Sequence, residues 1–146
     1  MVIPAGEKRE YSTSMTIKTM LSRAAHRLGR SEADYQQVEI HSVNLHMHAI
    51  GASGTIAIKD KSGKKSDEIL LDIPRWDIAW QRDFVLQKPK LYSVKSDLSQ
   101  YEVAVSCRFE NPRSVDVFGG FGSDDEMCFN FLYFALSPKT SHLSQR

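Results

Sequence analysis

Two histidines separated by one residue, His46 and His48 in "LHMHAIG", are the first side chains in this sequence whose types and spacing could do chemistry. If the segment is a strand, residues at i and i+2 share a face with Cβ atoms roughly 7 Å apart, close enough for two neutral imidazoles to converge on one metal ion. Such a pair also occurs as ordinary structural residues, so it needs a third ligand. Met127, in "GGFGSDDEMCFNFLYF", offers a thioether, a soft donor that suits Cu(I) far better than Zn(II) or Mg(II). Two imidazoles and a thioether would leave an open position suited to dioxygen; taken alone, the same methionine reads more readily as core packing at the head of a strand. Cys128 follows it, and the one other cysteine, Cys107, sits in "YEVAVSCRF". Paired, they would close a loop of about 20 residues and stabilise the fold by roughly 3 kcal/mol; unpaired, they read as two buried thiols.

Around these residues lie weaker candidates. Asn44 shares the strand face of the histidine pair and can contact a substrate or water. Trp76, Asp77 and Trp80 in "RWDIAW" read either as an aromatic wall of a pocket or as core packing. Asp124, Asp125 and Glu126 read as a solvated turn, or as a carboxylate supporting a histidine from behind. His26 and His142 fall in a helix-like segment and in the tail. His41 falls on the opposite face of an unbulged strand from His46 and His48, a structural position.

The elements that must position them are mostly strands. "YQQVEIHSVNLHMHAI" reads as one long strand running up to Gly51, followed by a "GASG" turn, the alternating "TIAIKD", a "KSGKK" hairpin loop and "SDEILLDI". "DFVLQKP", "YEVAVSCRFE", "VDVFGG" and "MCFNFLYFAL" complete six to eight strands, which predicts an all-β fold, an antiparallel β-sandwich or jelly roll. One segment, 18–34, breaks the pattern. Met20, Leu21, Ala24, Ala25 and Leu28 have helical spacing and Gly29 is placed to end a helix. Residues 137–146 read as a flexible polar tail.

With 146 residues, 41% hydrophobic and 25% charged, the chain reads as a single domain over 1–146 with a real core. Its 19 basic and 18 acidic side chains give no basic excess, so neither nucleic acid nor an anionic membrane is expected as a partner. No apolar run has the length of a spanning helix, and "MVIPAGEKREYS" lacks a signal peptide's charged-then-apolar layout.

Taken in order, "VIPAG", "LHMHAIG", "LLDIPRWDIAWQRDF", "VSCRFENP" and "GGFGSDDEMCFNFLYF" resemble the C-terminal domain of the copper type II, ascorbate-dependent monooxygenases. The likeness spans nearly the whole chain except Met20–Asp34 and the tail. It implies one copper ion held by His46, His48 and Met127, and a disulfide between Cys107 and Cys128, hence an extracytoplasmic setting. It also implies hydroxylation of an aliphatic C–H of a small organic substrate with O2 and a reductant such as ascorbate. The family's N-terminal copper domain is absent from this chain, so a second copper domain or another electron donor is an expected partner. In the family's peptide-hydroxylating branch an arginine, an asparagine and a tyrosine hold the substrate carboxylate; the matching positions here are Asn44, Phe129 and Phe131, so peptide substrates are not expected. The rival from another class is a non-catalytic copper-binding or interaction module that keeps the scaffold.

Overall fold

The alternation of apolar residues resolves into two antiparallel sheets facing each other across one core, in a computed structural model that describes residues 1–139. Among these residues there are nine strands. They are β1 (Val2–Ile3), β2 (Lys8–Thr16), β3 (Tyr35–His46), β4 (Gly51–Asp60), β5 (Glu68–Ile73), β6 (Phe84–Ser93), β7 (Tyr101–Glu110), β8 (Val117–Phe118) and β9 (Phe129–Pro138). One sheet has the order β2-β7-β4-β5 and the other β6-β3-β9, while β1 and β8 form a separate pair. This is the all-β sandwich expected from the sequence.

Val38, Ile40, Val43, Leu45 and Met47, all fully buried, line the inner face of β3 and the turn after it. Ile56 and Ile58 of β4 and Val103, Val105, Cys107 and Phe109 of β7 face them from the other sheet. The sheets approach so closely at Gly54 that a Cβ there would lie 2.6 Å from Leu45 Cδ2. A side chain there would displace Leu45 and crowd the Ser106 carbonyl oxygen at 3.1 Å.

A helix, α1 (Ile17–Arg27), forms where the helical spacing predicted one. Thr16 caps it, its Oγ1 accepting from Thr19 N at 3.1 Å, and Gly29 at φ +64° ends it, as a left-handed residue past a helix terminus should. Ile17, Met20, Leu21 and Ala25 form its buried face. Ser137 and Pro138 of the expected tail belong to β9, and 140–146, with His142, lie outside the described residues.

Three local expectations are corrected. The long strand ends at His46, and the turn occupies the following residues rather than "GASG", which lies inside β4. Strand β2, "KREYSTSMT", carried no readable signal because it is an edge strand whose side chains are almost all solvated. In β3 a bulge between Ile40 and Ser42 switches the parity of the strand, so that Ile40 and Val43 both point inward. His41 therefore shares the outer face with Asn44 and His46. There it pairs with Glu39 at 3.3 Å, and its ring lies 5.7 Å from that of Tyr133.

Cys107 of β7 is bonded to Cys128, the residue before β9, with Cα atoms 5.8 Å apart. The bond ties one sheet to the other beside Met127. Because it closes a loop of about 20 residues, its reduction is expected to cost about 3 kcal/mol. Urea unfolding with and without a thiol reductant measures this as a shift in midpoint. Coincident midpoints would remove the disulfide from the list of what holds the site.

Candidate metal centre

The ladder between β3 and β9 runs to His46, which lies opposite Phe129, and there it stops. Beyond it the backbone amides of the turn are taken over by a side chain from far along the sequence. Glu126, 1% exposed, accepts from His48 N at 2.8 Å and Ile50 N at 2.7 Å, and from the neighbouring Met127 N at 3.2 Å. Its own backbone is pinned to the β8 segment, with Glu126 N donating to Phe118 O at 2.9 Å and Gly120 N donating to Glu126 O at 3.2 Å. One carboxylate thus fastens the histidine turn to the methionine segment.

His48 is held on three sides. Besides its amide, its carbonyl accepts from Trp76 Nε1 at 3.0 Å, and its Nδ1 lies 2.8 Å from Asp125 O. A carbonyl can only accept, so Nδ1 carries the proton and the Nε2 lone pair is left for a ligand or a metal. The indole reaches this carbonyl because Gly51 has no side chain; a Cβ there would lie 2.8 Å from Trp76 Cδ1. That contact gives the glycine of His-x-His-x-x-Gly its physical reason.

The His46 ring stands edge-on to His48, centroids 5.2 Å apart and planes at 85°, and edge-on to Phe131 at 5.8 Å. Burial pushes the His46 imidazole below its ordinary value, and its proximity to His48 adds to this; Glu126 and a hydrogen bond with Gln81 oppose it. The ring is therefore biased toward the neutral, metal-binding form. Among the described residues no three His, Cys, Asp or Glu side chains gather as a metal-binding group. No such group completes the histidine pair among these residues, and the Glu126 carboxylate ties the His48 backbone to that of Met127, a residue 9% exposed.

The other sequence candidates divide. Phe129 and Phe131 lie on the outer face beside His46, both exposed, and Asn44 lies opposite Phe131 with its Nδ2 donating to Asp83 Oδ1 at 3.1 Å. Trp76 is buried and its indole N–H donates to the backbone carbonyl of His48. Trp80, 41% exposed, stacks under the Arg82 guanidinium at 5.1 Å. Asp77 caps a short 3-10 turn, accepting from Ala79 N at 2.8 Å. Of the acidic run, Asp124 sits in the solvated turn expected for it, 3.6 Å from Arg113, whereas Glu126 is the buried support. No local signal sets it apart from Asp124 and Asp125 in the sequence.

Beside this centre is a hollow of about 420 Å³ lined by Met127, Cys128, Phe129, Phe121, Tyr11 and Met1, among others. Its walls are mainly apolar, and it abuts the thioether-bearing residue. The family model described as copper type II ascorbate-dependent monooxygenase, C-terminal domain, matches residues 1–144. No curated protein matches the chain.

Proposed function

The chain belongs to the copper type II ascorbate-dependent monooxygenases, matched over their C-terminal domain, and from that premise we propose that it is a copper centre hydroxylating an aliphatic C–H of a small, largely apolar substrate with O2 and an external reductant. His46, His48 and Met127 hold the ion in this reading. The observation that carries it is the Glu126 clamp, which fastens the turn of His48, its Nε2 lone pair free, to the segment of Met127. The chemistry supplied by copper in such a donor set is one-electron redox cycling and activation of dioxygen, with the thioether favouring the reduced ion.

The chain's own residues do the rest. Asp125 O fixes the His48 tautomer, and Trp76 and Glu126 fix its backbone, so the ligand arrives already oriented. The apolar hollow beside Met127 receives the substrate and limits water at the reacting carbon. With Asn44, Phe129 and Phe131 around His46, no guanidinium at these positions anchors a carboxylate, which turns the site away from peptide C-termini. Hydroxylation needs two electrons per turnover and this reading places one metal here. A second copper domain or a soluble donor such as ascorbate therefore supplies electrons. An extracytoplasmic location is supported by the Cys107–Cys128 bond.

The test is to load the purified chain with Cu(I) under anaerobic conditions, then add isotopically labelled dioxygen, ascorbate and a panel of small apolar compounds. Labelled oxygen in a hydroxylated product is expected. Copper retained without turnover would replace this reading with the copper-binding or interaction module, and no retention of copper at all would reject both.

A further inference from the structure

Edge strands are the exposed rows of unpaired N–H and C=O groups in any open sheet, and natural proteins blunt them with charges or proline. In the two facing sheets four strands occupy such positions among the described residues: β2 and β5 in one, β6 and β9 in the other. Three are protected. Strand β2 opens with Lys8, Arg9 and Glu10, β5 carries Glu68 and Asp72, and β6 has Lys88, Pro89 and Lys90 at its centre. Strand β9, "FNFLYFALSP", has no charged residue, and its one proline is its last residue. Among the described residues it pairs with β3 alone.

The sandwich also stands open along this edge. Between β9 and β2 is a hollow of about 420 Å³ lined by Met15, Met20, Leu132 and Phe134, and by Asn130, whose Oδ1 is buried without a donor. Along the second half of β9 a hollow of about 570 Å³ lies against the end of α1, with Leu28, Phe134 and Leu136 in its lining. On the outer face Phe131 and Tyr133 are 57% and 65% exposed. An uncharged, aromatic edge flanked by two unfilled hollows and an orphaned acceptor is built to be covered.

The charges at its two ends choose the occupant. Asp124, its side chain 93% exposed and 3.6 Å from Arg113, and Asp125 precede the strand, whereas Arg27 and Arg30 outnumber Asp34 in the lining of the hollow at its far end and Lys139 follows it. Pairing β9 antiparallel with itself sets the acidic end of one copy against the basic end of the other, and two-fold symmetry repeats the match. A parallel arrangement would oppose like charges. We infer that β9 is a dimerisation strand, joined antiparallel to β9 of a second copy of this chain in one continuous sheet with three strands from each copy. The inference stands independently of the metal.

Sedimentation of the chain at high micromolar concentration is expected to give about twice the 16.6 kDa monomer mass. Tyr133→Lys, beside the midpoint of the strand, would bring two ammonium groups together and is expected to leave a monomer, while Tyr133→Thr keeps the dimer. Hydrogen exchange on the unaltered protein covers a variant that misfolds: protection of amides in 129–138 should rise with protein concentration. A monomer at high concentration overturns the inference. So does a dimer that survives Tyr133→Lys, or one in which the β9 amides exchange at the monomer rate.

Discussion

Met127→Ile is expected to leave the sandwich standing and to strip it of copper. The exchange conserves volume and apolarity at a position only 9% exposed, so its effect on folding should stay below about 1.5 kcal/mol. What disappears is the one soft donor in the proposed set. The loss of affinity on removing a ligand should exceed the 10–100-fold that typically follows removal of a group behind a metal ligand, so more than about 100-fold is expected. Competition for Cu(I) with a chromophoric chelator measures it, and turnover should fall at least as far. A variant that keeps its full copper content would return Met127 to the core and remove the thioether from the mechanism.

Glu126→Ala should do the reverse, weakening the fold and the site together. Three backbone amides, those of His48, Ile50 and Met127, lose their acceptor inside the protein. At roughly 1–2 kcal/mol for each donor left unpaired, the variant is expected to lose about 3–6 kcal/mol, a large part of the 5–15 kcal/mol that holds a typical domain together. Glu126→Gln keeps the shape but turns an NH2 group toward one of the donors, and should fall between. Urea midpoints order the three proteins. If the alanine variant stayed within about 0.5 kcal/mol of the parent, the level of an ordinary surface change, the clamp would be decorative. In whatever fraction of Glu126→Gln remains folded, copper affinity should fall about 10–100-fold, because the carboxylate sets where His48 stands.

The two variants separate roles that the sequence shows with very different clarity. His46 and His48 stand out because residue type and short spacing carry the information, whereas Met127 as their partner and the pairing of Cys107 with Cys128 follow from the family likeness. Most strands are legible for the same kind of reason: "YEVAVSCRFE" alternates inside and outside at the period of a strand and is β7 residue for residue. That periodicity is absent from β2, whose polar side chains meet water on both faces, and it is broken in β3 at His41, where one extra residue reverses the alternation.

What the amino-acid sequence determined by itself was the fold class, the helix and the histidine pair, since each depends on side chains no more than a few residues apart; Met127 joined the pair through the family likeness. The tertiary structure decided which groups support them. Glu126 looks like the end of an acidic turn until the amides of His48 and Ile50 arrive from 78 and 76 residues away, and Trp76 looks like core until its indole meets the His48 carbonyl across 28 residues. A buried carboxylate and a buried N–H are tolerated only where partners meet them. Those partners are set by which strands pack together, so local pattern cannot name them.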